Sequence, residues 1–298
     1  MKNTFGNAVS LTIFGESHGP AVGAVLDGLA AGLPVDEAAI AAALDRRRAR
    51  GDGLSTARTE ADEVEFLSGV YEGHTTGTAV TLMIRNLNTR SGDYAKTAGL
   101  LRPGHADFTA HAKYEGWQDA RGGGHFSGRL TAASVAAGAL CETVLRQLGV
   151  RVCTHIAACA GVEDAPLSSA RPAPGHFALL DPGREAAMQE AIRAAGRDGD
   201  SVGGILETIV TGLPAGIGEP WFDSVESELA HLMFSIPACK GLEFGAGFRF
   251  AGMRGSEAND PFTMRDGRVV TATNRNGGIN GGITNGMPLV FRTVIKPT

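Results

Sequence analysis

The sequence predicts an α+β fold built from two pseudo-equivalent halves within a single domain, residues 1–298. Three observations lead there. Short apolar runs with strand character alternate with amphipathic helical runs. No low-complexity linker divides the chain. The sequence also echoes itself. GAVLDGLAAGLPVDEAAIAAAL, from Gly23, and ILETIVTGLPAGIGEPWFDSVESELAHLMF, from Ile205, both read as strand, glycine corner and amphipathic helix, and Gly28-Leu29-Ala30-Ala31-Gly32 matches Gly212-Leu213-Pro214-Ala215-Gly216. EGHTTGTAVTLMI, from Glu72, resembles GGITNGMPLVFRTVI, from Gly281, each a glycine turn entering an apolar strand. Both pairs come in the same order, at a period far too long for a solenoid.

The elements follow in chain order. AVSLTIF and AVGAVLDG are strands flanking the polar turn GESHGP, which presents Glu16, Ser17 and His18 at a hairpin tip. Apolar positions at helical spacing predict helices over Asp36 to Arg47, Thr131 to Leu148, Glu185 to Ala195 and Asp223 to Phe234. The proline- and glycine-bearing stretch near Ala165 to Gly175 reads as a surface loop.

Composition narrows the function. The 298 residues carry a formal net charge of -5, which argues against general nucleic-acid binding. Glycine is abundant at 42 residues, so many turns and close backbone approaches are expected. Cys141, Cys153, Cys159 and Cys239 lack C-x-x-C spacing and read as buried free thiols of a reducing compartment. Neither a signal peptide nor a membrane-spanning run is visible, so a cytoplasmic protein is expected.

Gly15-Glu16-Ser17-His18-Gly19 fits the serine-hydrolase pattern G-x-S-x-G. A nucleophile elbow needs a strand and an oxyanion-hole loop upstream, and it opens into a helix. Only fourteen residues precede Gly15, and a strand follows, so Ser17 is not expected to be a nucleophile.

The densest polar and glycine-rich region is LLRPGHADFTAHAKYEGWQDARGGGHFSGRLTAAS. It holds Arg102, His105, Asp107, His111, Arg121, His125, Ser127 and Arg129 around the triplet Gly122-Gly123-Gly124. A glycine loop entering a helix capped by Ser127 suits a phosphate or carboxylate, and Arg121 and Arg129 could add bidentate contacts. His105 and His111, six apart with no cysteine partner, make no recognised zinc pattern, and no metal is expected. The run Arg46-Arg47-Arg48 with Arg50 is either a solvated helix end or an anion site.

These stretches, in one order, carry a resemblance. Gly15-Glu16-Ser17-His18-Gly19, Arg46-Arg47-Arg48, Arg102-Pro103-Gly104-His105-Ala106-Asp107, Arg121-Gly122-Gly123-Gly124, Ser127-Gly128-Arg129, Gly281-Gly282-Ile283 and Ile295-Lys296-Pro297-Thr298 together closely resemble the chorismate synthase family. The resemblance implies a β-α-β sandwich, a homotetramer and a need for reduced FMN. It implies a lyase of the shikimate pathway that takes phosphate and a ring hydrogen from 5-enolpyruvylshikimate 3-phosphate by anti-1,4-elimination, giving chorismate. By the same resemblance His18 would protonate the departing phosphate and His105 would manage the proton of the reduced flavin. Arg47, Arg102 and Arg129 would bind substrate. His125, Phe126, Ser127, Ala238, Gly281, Lys296, Pro297 and Thr298 would line the FMN site.

An acidic protein facing a phosphate and two carboxylates must concentrate its cations locally, and these arginines are the available supply. Histidine suits proton transfer near neutral pH. NADP enters only through the resemblance. No nicotinamide fingerprint is visible, so a separate flavin reductase or chemical reductant is expected. His125-Phe126-Ser127-Gly128-Arg129 departs from the commoner form of its motif, and Pro237 stands where many members have asparagine. The family's C-terminal arginine and catalytic aspartate would follow Thr298, so the sequence reads as a shortened family chain, expected to be folded, to bind FMN weakly and to form little or no chorismate. The competing expectation is a non-catalytic flavin- or anion-binding fragment.

Overall fold

A computed structural model describes residues 2–55, 60–87, 100–166 and 177–297. Most of the loop expected near Ala165 to Gly175 lies outside them, as does Thr298. The chain divides into two compact units, Met1–Val144 and Leu145–Thr298.

The first unit contains β1 (Thr4–Gly6), β2 (Ser10–Gly15), β3 (Ala21–Asp27), α1 (Glu37–Arg47), β4 (Val64–Ser68), β5 (Val70–Tyr71), β6 (His74–Thr75), β7 (Val80–Arg85) and α2 (Asp107–Tyr114). Helix α3 (Thr131–Gln147) starts in this unit and crosses the boundary. The second unit contains β8 (Arg151–Cys159), β9 (Val162–Glu163), α4 (Glu185–Arg197), β10 (Gly204–Thr211), α5 (Val225–Met233), β11 (Cys239–Phe244), α6 (Gly255–Ala258), β12 (Phe262–Arg265), β13 (Arg268–Thr271), β14 (Ile279–Asn280), β15 (Ile283–Thr284) and β16 (Leu289–Ile295).

Each unit is built on a five-stranded antiparallel sheet, in the order β1-β2-β3-β7-β4 and β11-β16-β10-β8-β9. Four strands correspond directly: β2-β3-β7-β4 repeats as β8-β10-β16-β11. The echo in the sequence is therefore an echo in structure, down to single hydrogen bonds. The Thr75 hydroxyl donates to the Ala30 carbonyl at 2.6 Å and accepts from the Leu33 amide at 3.0 Å. The Thr284 hydroxyl does the same with Pro214 at 2.7 Å and Ile217 at 2.9 Å. These are matching positions of the two glycine corners.

Alternation decides which face of the first sheet is buried. Val22, Ala24 and Leu26 of β3 lie opposite Ile84, Leu82 and Val80 of β7, and all six are buried. Ile40 and Leu44 of α1 join them, as do the α3 residues Ala132, Ala133, Ala136, Ala137 and Leu140. Small alanines let α3 approach the core closely. Helix α1 begins where Asp36 Oδ1 accepts the Ala39 amide at 2.9 Å and ends with Arg46 and Arg47 in its last turn, which complements the helix dipole. In the second unit Met188 of α4 packs with Leu179 and Cys159, and α5 contributes Val225, Leu229 and Met233 to a cluster around Leu289 and Phe291.

The four helices foreseen in the sequence form with ends moved by one or two residues, because Asp36 and Ser224 act as caps outside the helices. All four cysteines are free, but only Cys159 and Cys239 are buried. Cys141 and Cys153 are half-buried. No helix among the described residues is long and apolar enough to cross a membrane.

Candidate active site

The β2–β3 turn, Glu16 to Pro20, is held from two directions. Its own Gly19 amide donates to the Glu16 carbonyl at 3.0 Å, and the Ser17 amide donates to the Gly124 carbonyl at 3.0 Å. Ser17 and His18 are consequently buried, 1% and 7% exposed. Among the described residues the Ser17 hydroxyl has no hydrogen-bond partner, so no base is placed to activate it as a nucleophile. Ser17 instead borders a cleft.

The loop that meets this turn is Arg121–Phe126. Gly122, Gly123 and Gly124 all have positive φ (58°, 85° and 54°), a run that residues with side chains rarely adopt. The lack of side chains matters as much as the dihedrals. A Cβ on Gly122 would collide with the His18 imidazole, and one on Gly123 would come within 3.1 Å of the His105 imidazole. Two imidazoles separated by 87 positions in sequence thus rest on consecutive residues of one loop. The loop begins where Asp119 grips Arg121 through the backbone amide at 3.0 Å, Nε at 2.9 Å and Nη2 at 2.8 Å. Arg121 is therefore engaged on its own carboxylate, which its guanidinium holds below the usual carboxylate range.

His105 stands just ahead of α2, whose first residue is Asp107. Its Nδ1 donates to Asp107 Oδ1 at 2.6 Å, and Arg102 reaches the same carboxylate through Nε at 2.9 Å and Nη2 at 2.8 Å. Bonding to Arg102 holds the Asp107 carboxyl far below the usual carboxylate range. An ionised Asp107 fixes the His105 proton on Nδ1, so Nε2, on the Gly123 side and 3.4 Å from Arg102 Nη2, is the ring's basic atom.

The neighbouring cleft, about 440 Å³, is lined by Ser17, Arg47, Arg48, Glu60, Asp62, Gly122, Ser127, Gly128 and Arg129. At its back Asp62, with a side chain 1% exposed, accepts from both Arg47 Nη1 at 3.0 Å and Arg129 Nη1. Arg47 also donates to Thr131 Oγ1 at 3.1 Å and the Gly128 carbonyl at 3.0 Å. Arg129 also donates to Asn86 Oδ1 at 2.9 Å and the Arg85 carbonyl at 3.2 Å. Each guanidinium thereby commits three of its five N–H donors. Burial pulls Arg47 below its ordinary value, against the pull of Asp62, and leaves it cationic at neutral pH. A larger groove of about 530 Å³ lies between α1 and β4, walled by Ile40, Leu44, Val64 and Phe66. It lacks Arg47, Arg129 and the glycine loop, whereas the smaller cleft is bordered by Gly122, the residue against which the His18 imidazole rests, so the chemistry is assigned to the smaller cleft.

The arginine run splits. Arg48 and Arg50 close on Asp45 at the surface, whereas Arg47 turns inward. His125 Nδ1 donates to the Gly15 carbonyl at 2.9 Å, Phe126 packs against Tyr114 with ring centroids 6.1 Å apart, and Ser127 Oγ accepts the Arg129 amide at 3.2 Å. The first unit thus brings together His18, His105, Arg47, Arg102, Arg129, His125, Phe126 and Ser127. In the second unit Ala238 has φ +67°, and its carbonyl accepts the Lys296 amide at 2.9 Å. Lys296 Nζ donates to the Pro297 carbonyl at 2.7 Å. Gly281 turns between β14 and β15 with open space where a Cβ would be. Sequence reasoning missed Asp62 and Asn86, and no local signal marks either one.

Paired guanidiniums beside two imidazoles seated on one glycine loop suit acid–base chemistry on an anionic substrate. The model of the family described as "Chorismate synthase" matches residues 9–298. Curated chorismate synthases from Methanosarcina mazei and Chitinophaga pinensis are 47% and 48% identical, over 99% of this chain and 82% and 81% of their own lengths. A solved structure titled "Crystal Structure of Chorismate Synthase" superposes with a TM-score of 0.79 at 30% identity, covering 97% of this chain and 85% of that one. The chain belongs to the chorismate synthase family. It is a lyase of aromatic biosynthesis, and the non-catalytic alternative is not favoured.

Proposed function

We propose that this chain forms chorismate and phosphate from 5-enolpyruvylshikimate 3-phosphate by anti-1,4-elimination, with reduced FMN as cofactor. One observation carries the assignment of roles: His18 and His105 rest on consecutive glycines of the loop that borders the arginine cleft. Arg47 and Arg129 take anionic groups of the substrate with the N–H donors that Asp62 and its neighbours leave, and Arg102 adds a third cation. His18 delivers a proton to the departing phosphate. His105, with Nδ1 committed to Asp107, holds and moves a proton at Nε2.

The residues present fit a flavin. The side-chain-free face of Gly122–Gly124 admits a flat group closely, and Ser17 offers an unspent hydroxyl. In the first unit His125, Phe126 and Ser127 would hold it, and for Ala238, Gly281, Lys296, Pro297 and Thr298 of the second unit the same role follows from the family resemblance alone. When bound, reduced FMN supplies the electron-rich partner that this elimination requires without net redox change.

We further propose that residues 1–298 act as one domain, that the protein is a cytoplasmic homotetramer, and that a separate reductase or chemical reductant supplies the reduced flavin. Anaerobic incubation with reduced FMN and substrate tests the activity. Chorismate formed above the rate without protein, even slowly, supports the lyase reading, and its absence alongside intact FMN binding would return the chain to flavin binding alone. Light scattering of the purified protein should give four times the chain mass, and a monomer mass would remove the tetramer.

A further inference from the structure

Strand β7 ends at Arg85, and the next side chain lies between the β2–β3 turn and the arginine cleft. Asn86 Nδ2 donates to the carbonyls of Glu16 at 3.0 Å and Gly19 at 2.8 Å. Its Oδ1 accepts from Arg129 Nε at 2.9 Å, and its backbone amide donates to the Pro20 carbonyl at 3.0 Å. Only one orientation of the carboxamide satisfies these partners, because a guanidinium only donates and a carbonyl only accepts. The two carbonyls stand on either side of Ser17 and His18 in the chain, so one side chain clasps the His18 turn at both ends. The other end of the same amide holds Arg129, whose guanidinium is fixed in turn by the buried Asp62 shared with Arg47.

We propose that Asn86 is a positioning residue for the elimination, setting the His18 imidazole at a fixed place relative to the paired arginines. The proposal rests on the reading of His18 as proton donor and of the arginines as the anion site. Asn86 itself is neutral and moves no proton. Its contribution is geometric: a proton donor and an anion clamp must keep their mutual placement to well under about 1 Å, since a displacement of that size costs roughly 100-fold in rate. Held separately, the turn and Arg129 would each be anchored and yet free to shift against one another. A single planar amide bonded to both removes that freedom.

The isosteric variant Asn86→Asp separates the two ends of the clasp. It keeps an acceptor for Arg129 and sets a second carboxylate oxygen against two carbonyls that need a donor. Turnover should fall about 30- to 100-fold, with KM rising less than turnover falls, because Arg129 keeps its place although the new carboxylate draws on its charge. In the protein without flavin or substrate, the His18 imidazole resonances in a nitrogen–proton NMR spectrum should shift. Asn86→Ser, too short to reach both partners, should lower turnover and also raise KM by about 10-fold.

An Asn86→Asp protein with wild-type turnover, or with lowered turnover and unmoved His18 resonances, would overturn the proposal. If Asn86→Asp does not fold, Asn86→Ser carries the same NMR test, and unmoved His18 resonances there would overturn it equally. Displaced His18 resonances in a chain whose wild type makes no chorismate would instead overturn the assigned reaction and leave the clasp standing.

Discussion

The two sheets share a plan and differ in what occupies the middle of it. In the first, one cross-strand row reads Phe14, Gly23, Met83 and Glu65 along β2, β3, β7 and β4. The corresponding row of the second reads His155, Glu207, Arg292 and Glu243 along β8, β10, β16 and β11. Those charges bond with one another: His155 bridges Asp164 at 2.9 Å and Glu207 at 3.1 Å, and Arg292 reaches Glu243 at 3.1 Å. The first unit keeps the middle of this row apolar and places its candidate chemistry where strands and helices end. His18 sits in the β2–β3 turn, Asn86 just past β7, Arg47 at the last residue of α1, and His105 ahead of α2. Charges in mid-sheet pair with their neighbours and hold structure. Charges at element ends keep donors and lone pairs for a ligand.

The largest effect that could break this comparison concerns the histidines. His105→Ala should lower turnover at least about 10-fold, since positioned acid–base groups contribute roughly 100- to 10,000-fold. His18→Ala should fall in the same range. Anaerobic chorismate formation with reduced FMN measures both, and undiminished turnover would remove the residue from the mechanism. Next, Arg47→Ala should weaken substrate binding by roughly 10- to 150-fold, the equivalent of about 1.5–3 kcal/mol for a charge-assisted hydrogen bond. Its effect on the melting temperature should be small, because Asp62 keeps Arg129 and α1 keeps Ile40 and Leu44. Equal affinity in calorimetry would leave Arg47 a structural partner of Asp62 and Thr131 and not an anion site.

The second unit should answer in stability instead. Burial alone would push His155 down, but its bonds to Glu207 and Asp164 outweigh burial and raise it above 6.5. A raised histidine stabilises the fold fully below its unfolded value, and that contribution is lost as pH climbs through the folded one. The melting temperature should therefore decline as pH rises from about 6 upward, and His155→Gln should flatten that decline. A pH slope unchanged by His155→Gln would show that the row carries no linkage. Last and smallest, an acyl or fluorophosphonate probe should leave Ser17 unlabelled, and a covalent adduct seen by mass spectrometry would revive the hydrolase reading.

Much of this was legible in the sequence because it is local. The hairpin tip, the helix limits, the glycine triplet and the doubled strand–corner–helix pattern each occupy a short window. Helix α2 was not foreseen, because Ala110 is its only buried residue and its segment reads as polar loop. Asp62 and Asn86 were invisible for a different reason. Their partner Arg129 lies 67 and 43 positions away, and no local pattern encodes a bond across that distance. The bland and functional readings of the arginine run, both open in the sequence, apply to different members. Asp45 holds Arg48 and Arg50 at the surface, while Arg47 enters the interior.

Three successive glycines in left-handed conformation also limit how this enzyme can be re-engineered. Any replacement at Gly122 adds atoms where the His18 ring lies, and one at Gly123 presses on His105. Libraries that randomise this loop should return inactive clones that are still folded, since the sheet core of the first unit lies elsewhere. New substrate preference has to be sought in the walls, at Ser55, Glu60 and Arg48, which line the cleft away from the glycine triplet in sequence.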